Sequence, residues 1–315
     1  APSNTTGRPL PGLGRRATAG LGSVPMRSFL AVLVAGLMAV VAPTVPVAHA
    51  DPETQPVGAP TIPDGPAQAW ILADMDTGEV LAARNEHGQY APASTIKVLL
   101  ALTVLNEVPL DATVVANEAD TQVECNCAGV QPGRAYTARQ LLEALLLVSG
   151  NDAANTLATM LGGHDVAVTK MNATAALVGA YGTNAGTPSG LDGPGIAMWS
   201  SPRDLAVIFR AAMANPVFAA ITAQPTAVFP TAKGDKVLVN QNELLRRYPG
   251  AFGGKTGFTD LAKKTYVGGA QRDGRRLVAV LMYGLDKPGQ TYWDQAMGLL
   301  DWGFAQPRGN SIGTL

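Results

Sequence analysis

Apolar and polar positions alternate and cluster along this chain in a pattern that changes twice. Ala69 to Asp74 is a short apolar run and Glu79 to Ala82 is a second. The Asp76-Thr77-Gly78 turn between them predicts a β-hairpin. Residues 94–106 carry apolar positions at helical spacing, with Pro92 just ahead, which predicts a helix. Thr137 precedes a strongly apolar helical segment that ends near Ser149-Gly150. A second, alanine-rich helix is expected over Asn151 to Met160 and a third over 167–180. Residues 181–200 are rich in Gly, Pro, Asn and Thr and predict loop; Ser201-Pro202 then starts a helix running to about Met213. In the last third the period shortens. Strands are expected around 253–259, 264–270 and 276–284, the last two joined by a turn at 272–275, and 291–304 predicts a closing helix. The order is hairpin, helices, strands, helix. An antiparallel sheet made from both chain ends, flanked by helices and carrying an inserted helical lobe at about 99–225, satisfies it. The fold class expected is therefore α/β.

The first 50 residues stand apart. Met26-Arg27 opens a basic stretch, Phe29 to Ala42 is apolar and uncharged, and Ala48-His49-Ala50 fits a small-x-small cleavage site. This is the layout of a secretory signal. Its apolar core of 14 residues is short for a span of about 20. Residues 1–25 read as an upstream extension or a wrongly chosen start, and Arg15-Arg16 is a weak twin-arginine candidate. Proline-rich residues 51–66 are expected as a flexible tether. The main domain follows at 67–305, with a tail at 306–315. An extracytoplasmic location is the expectation.

Charge narrows the function. With 23 basic and 24 acidic residues the net charge is −1, which offers nothing to a nucleic acid or an anionic membrane. Three histidines in total argue against a histidine-rich metal site. Cys125 and Cys127, one residue apart, are permitted a disulfide outside the cytoplasm. Free thiols or a labile bond fit the tight spacing almost as well, and no catalytic part is assigned to them.

Three short motifs carry the chemistry: Ser94-Thr95-Ile96-Lys97, Ser149-Gly150-Asn151 and Lys255-Thr256-Gly257. Each is commonplace alone; all three in suitable structural contexts are not. Ser94 and Lys97 are three apart at a helix start and share a face. A serine hydroxyl needs a base to become a nucleophile. A lysine serves if burial and a nearby positive charge lower its pKa, and Lys255 is placed to supply that charge. Ser149 sits at a junction of two helices, able to pass a proton to a leaving amine. Asn151 can hold Lys97 and a substrate amide together, or simply cap its helix. Lys255 and Thr256 suit a substrate carboxylate. Gly257 lets a peptide approach the strand as an added β-strand.

These motifs resemble those of the penicillin-recognising serine D-alanyl-D-alanine carboxypeptidases, the low-molecular-mass penicillin-binding proteins of peptidase family S11 type. Segments Ala91 to Lys97, Leu145 to Ala154, Asn242 to Thr259 and Leu299 to Phe304 carry the likeness. The resemblance implies the penicillin-binding-protein/β-lactamase-like transpeptidase fold. It implies Ser94 as acylated nucleophile, Lys97 as proton acceptor, and Ser149 and Asn151 in the proton network. Lys255, Thr256, Gly257 and Phe258 would bind substrate, with the backbone N–H groups of Ser94 and Phe258 as oxyanion hole. The implied partners are peptidoglycan stem peptides ending in D-Ala-D-Ala, with β-lactams as covalent inhibitors. No cofactor or metal is implied, and a monomer is expected.

Three departures from that family pattern stand out. Phe258 replaces a histidine common in relatives. Gln290 stands where many relatives carry a carboxylate-binding arginine, with Lys287 a candidate to replace it. The chain ends about ten residues after the closing helix, so no C-terminal membrane anchor is expected. A class A β-lactamase is disfavoured: no glutamate lies between Asn151 and Asn242, and Asp192 and Asp204 are the central acidic candidates. A D,D-endopeptidase and a slow penicillin-binding sensor remain the alternatives.

Overall fold

A computed structural model describes residues 52–315. The secretory-signal features and the twin-arginine candidate lie outside the described residues. The expected first hairpin is β1 (Ala67–Asp74) and β2 (Glu79–Arg84). Its turn is held by Asp74 Oδ1, which accepts from the N–H groups of Asp76 and Thr77, and Gly78 takes a φ of 79°. The chain then enters α1 (Lys97–Glu107), β3 (Thr113–Val115), α2 (Glu118–Thr121), β4 (Ala135–Thr137), α3 (Ala138–Leu147), α4 (Asn151–Met160) and α5 (His164–Leu177). After a long loop come α6 (Pro202–Met213), α7 (Pro216–Ala223), the hairpin β5 (Thr226–Thr231) and β6 (Gly234–Val239), and α8 (Leu244–Arg247). The chain closes with β7 (Ala251–Thr259), β8 (Lys263–Arg272), β9 (Arg275–Gly284), α9 (Tyr292–Ala305) and β10 (Gly313–Thr314).

The helix starts follow from their caps. Thr137 and Gln140 form a reciprocal capping box on α3, and Thr291 and Asp294 form another on α9. Ser201 caps α6 with proline at its first position. The turn between β8 and β9 places Asp273 and Gly274 at φ 49° and 71°, as a tight hairpin requires.

One antiparallel sheet, in the order β10-β2-β1-β9-β8-β7, joins the two ends of the described chain. Both faces of its centre are covered. Trp70 and Leu72 on β1, with Leu277, Ala279 and Leu281 on β9, pack under Trp293, Leu299 and Leu300 of α9. The alternate residues Ile71, Ala73, Val278, Val280 and Met282 pack against the helices on the other face. That two-sided burial is why β9 is a nearly unbroken apolar run. Each fully buried leucine or valine contributes on the order of 1.5–3 kcal/mol.

Three expectations need correction. Residues 52–66 are not a flexible tether. Thr54 bridges to Ala83, Ile62 is buried in the α9-side core, and Pro60 O accepts from Trp302 Nε1 at 2.8 Å. Prolines that suggest a linker also suit an extended strap, and here the apolar residue between them docks it. Residues 306–315 are not merely a tail: β10 adds a sixth strand on β2. The helix expected over 94–106 is divided. Residues 93–96 form a 3₁₀ turn, entered through Ala93 at φ 49°, and α1 begins only at Lys97.

Candidate active site

The 3₁₀ turn sets the first side-chain pair. In such a turn residues i and i+3 eclipse, so Ser94 and Lys97 meet directly, with Lys97 Nζ 2.7 Å from Ser94 Oγ. The turn is braced against the edge strand β7. Thr265 Oγ1 donates to Pro92 O at 3.0 Å. A Cβ on Gly257 would come within 2.8 Å of Ser94 N, and one on Gly190 within 2.0 Å of Ala93 O. Glycine at 257 was expected to admit a substrate strand. The space it leaves is instead filled by the nucleophile's own backbone, so its role is to bring Ser94 onto the strand.

Lys97 is fully buried and has two further partners, Asn151 Oδ1 and Ser189 O, each at 2.7 Å. Asn151 is oriented from behind: its Nδ2 donates to Glu124 O at 2.8 Å and its backbone N–H to Asn126 O at 2.7 Å. The amide oxygen is thereby fixed toward Lys97. Asn151 is the first residue of α4 but does not cap it; Gly150 occupies the cap position.

Burial holds the Lys97 ammonium well below the ordinary lysine pKa. The neighbouring Lys255 charge adds to this, and Asp152 opposes it. Lys255 is itself buried and lowered to about 7 by desolvation. A neutral lysine amine has two N–H donors and one lone pair. Asn151 Oδ1 and Ser189 O can only accept, so they take both N–H groups. The lone pair is left for the Ser94 hydroxyl proton. The same three contacts that would satisfy an ammonium therefore specify a base once the proton is gone.

The cleft, about 390 Å³, is lined by Ser94, Ser149, Asn151, Thr256, Gly257 and Phe258 among others. Seven of the eight expected site residues are thus brought to one place, six at the wall and Lys97 directly behind it. Ser149 takes φ 59°, an uncommon conformation for a non-glycine residue that turns the chain sharply between α3 and α4. Lys255 differs from expectation. It is buried, donates to Thr256 O at 2.6 Å, and is absent from the residues lining the cleft. Its charge acts on Lys97. Lys287 also departs: it pairs with Asp64 at 3.2 Å, outside the cleft.

Several contributors escaped the sequence reading. Asp152, the residue after the second motif, is buried and accepts from the N–H groups of Ala128, Gly129 and Val130, each at 2.9 Å. It fixes residues 128–130, directly after the segment whose Glu124 and Asn126 carbonyls hold Asn151. Ser189 acts through its backbone carbonyl, for which no side-chain signal exists. Gly190 after it was the available hint. Cys125 and Cys127 are joined as a disulfide, and Cys125 borders the cleft. Of the acidic candidates, Asp192 accepts from Thr259 Oγ1 and Asp204 from Thr183 Oγ1.

Comparison with known proteins gives the same picture. The family model for peptidase family S11, D-alanyl-D-alanine carboxypeptidase, matches residues 55–285. The chain is 65% identical over 267 residues to D-alanyl-D-alanine carboxypeptidase DacB2 of Mycobacterium tuberculosis, covering 84% of this chain and 92% of that protein. It is 28% identical to DacF of Bacillus subtilis, covering 76% of this chain and 62% of the relative. A crystal structure of a D-alanyl-D-alanine carboxypeptidase from M. tuberculosis H37Rv superposes with TM-score 0.82 at 65% identity, covering 83% of this chain and all of that one. The DD-transpeptidase of Streptomyces K15 superposes with TM-score 0.72 at 28% identity, covering 78% of this chain and all of that one. The chain belongs to the D-alanyl-D-alanine carboxypeptidase family, peptidase family S11.

Proposed function

We propose that the protein is a serine D,D-carboxypeptidase that removes the terminal D-alanine from peptidoglycan stem peptides through an acyl-enzyme on Ser94. The observation that carries this is the Lys97 amine, buried between two acceptor-only oxygens with its third contact on Ser94 Oγ. In the first step Lys97 Nζ takes the Ser94 proton as Oγ bonds to the carbonyl carbon of the penultimate D-alanine. The growing oxyanion is received by the N–H groups of Ser94 and Phe258. Collapse breaks the peptide C–N bond. The proton returns through Ser149 to the leaving amine, and D-alanine departs. Water then adds to the ester, its proton goes to Lys97, and the ester C–O bond breaks with Ser94 reprotonated. A β-lactam follows the first half of this path and remains on Ser94.

The reaction takes place outside the cytoplasmic membrane. The secretory layout of the first 50 residues and the Cys125–Cys127 disulfide support this. All the groups used come from one chain, which suits a monomer. Likeness to the Streptomyces K15 DD-transpeptidase favours one secondary reading, in which an amine instead of water accepts the acyl group. The test is D-alanine release from a pentapeptide ending in D-Ala-D-Ala, with and without an acceptor amine. The chain is compared with Ser94→Ala. Release by the unaltered chain alone supports hydrolysis at Ser94. Release with a new amide product supports transfer. Absence of release by a folded protein whose Ser94 a penicillin acylates in a separate assay overturns the carboxypeptidase reading.

A further inference from the structure

A peptide ending in D-Ala-D-Ala presents a carboxylate one residue beyond the scissile bond, and a site that selects such peptides needs a cation near it. The expected donors are engaged elsewhere. Lys97 Nζ is saturated by Ser94, Asn151 and Ser189. Lys255 is buried and donates to Thr256 O. Gln290 Nε2 donates to Asp64 O at 2.6 Å and Lys287 pairs with the Asp64 carboxylate, both outside the cleft. Among the residues lining the cleft the one cation is Lys264.

Its position suits the task. Across the β7–β8 pair Phe258 faces Lys264 and Thr256 faces Tyr266. Cross-strand partners share a face and residues two apart return to it, so Thr256, Phe258 and Lys264 stand on the same side of the sheet. Tyr292 closes that side, its ring centre 5.9 Å from Lys264 Nζ. On its other edge Lys264 pairs with Gly284, and a bulge separates this pair from Tyr266–Leu281, with Tyr283 at φ 52°. Bulges redirect side chains beside active sites. A Cβ on Gly284 would lie 3.0 Å from Lys264 O, so glycine there suits the close approach of the two strands at the bulge. Lys264 Nζ rests on Asp286, whose side chain is 87% exposed. An exposed pair of this kind contributes little and is readily exchanged for another carboxylate.

We propose that Lys264, together with the Thr256 hydroxyl, binds the C-terminal carboxylate of the substrate, in place of the arginine that Gln290 lacks. This rests on the carboxypeptidase reading above. Lys264 is a specificity determinant and takes no proton in the reaction. An ammonium is a point charge without a fixed fork, so it tolerates variation in carboxylate position.

The test compares kcat/KM for a D-Ala-D-Ala peptide with that for the same peptide ending in D-alaninamide, in the full chain and in Lys264→Gln, Lys264→Arg and Lys287→Gln. Loss of a charge-assisted contact should lower kcat/KM for the acid about 10- to 100-fold in Lys264→Gln. The amide should change by less than about threefold on the same reasoning, so the acid-to-amide preference collapses. Lys264→Arg should restore the preference and Lys287→Gln should leave it intact. An unchanged preference in Lys264→Gln, or its loss in Lys287→Gln, overturns the proposal. A second readout is Ser94 acylation by a penicillin and by its methyl ester, followed by intact mass. If no peptide is turned over, the carboxypeptidase reading fails, and this pair decides Lys264 separately. Collapse of the acid-to-ester preference in Lys264→Gln supports the assignment, and its persistence overturns it.

Discussion

The two walls of the cleft are built on opposite principles. At the nucleophile wall, Lys97 is fully enclosed and its Nζ has three fixed partners. At the opposite rim, Phe258 is 59% exposed and Lys264 pairs with an exposed aspartate beside the Tyr292 ring. Desolvation does the chemical work at the first wall, because a lysine becomes a base only where its charge is disfavoured. The rim keeps its cation in contact with water, where it stays available to a carboxylate. A buried ammonium at the rim would be neutral, and an exposed one at the nucleophile would be a poor base.

The largest test of this contrast is Lys97→Arg. The guanidinium keeps the charge and cannot be deprotonated. Ser94 acylation by a penicillin should fall by about 10²- to 10⁴-fold, as for loss of a general base, and mass spectrometry reads it directly. Near-normal acylation would remove the proton-acceptor role and with it the contrast between the walls. Next is Asp152→Asn. The carboxylate accepts three backbone N–H groups from residues 128–130, and an amide cannot accept them all. A loss of about 3 kcal/mol is expected, seen as a melting temperature lower by roughly 5–10 °C. Turnover should fall as well, since the adjoining loop orients Asn151. The smallest effect concerns the disulfide. Replacing both Cys125 and Cys127 by serine releases a loop closed over a separation of two residues, worth about 1.5 kcal/mol by loop entropy. Because Asp152 and Asn126 hold the same segment, penicillin acylation should change by less than about threefold, a shift within roughly 0.6 kcal/mol. A loss rivalling that of Lys97→Arg would show that the bridge, and not the carboxylate, positions the loop.

What was legible in the sequence follows the same division. The nucleophile wall is written in side-chain identities at short spacing, Ser94 with Lys97 and Ser149 with Asn151, and helix caps such as Ser201 and Thr291 announce their elements. The central strands were legible because both faces are apolar. The strap at 52–66 was not, since proline-rich segments look alike whether docked or free until a residue such as Ile62 finds its pocket. The hairpin β5–β6 escaped because its outward valines, Val228, Val237 and Val239, are exposed and its pairing is local. Lys264 was invisible for a different reason. It is one lysine in a strand, and only the cross-strand register and the removal of Gln290 and Lys287 to Asp64 make it the cation of the cleft. Ser189 contributes a backbone carbonyl, which residue identity does not encode.

The central claim is that Lys97 acts as a neutral base because it is buried beside Lys255. Its most direct test is the rate of Ser94 acylation as a function of pH, in the unaltered chain and in Lys255→Gln. Acylation requires unprotonated Lys97, so the rate should rise with pH along a limb set by that group. The limb should lie well below the ordinary lysine value of 10.5. Removing the Lys255 charge makes the Lys97 ammonium less unfavourable, so the limb should move to higher pH in Lys255→Gln, whatever the change in maximal rate. A limb near 10.5 in the unaltered chain, or one that stays in place or moves to lower pH in the variant, would contradict the account.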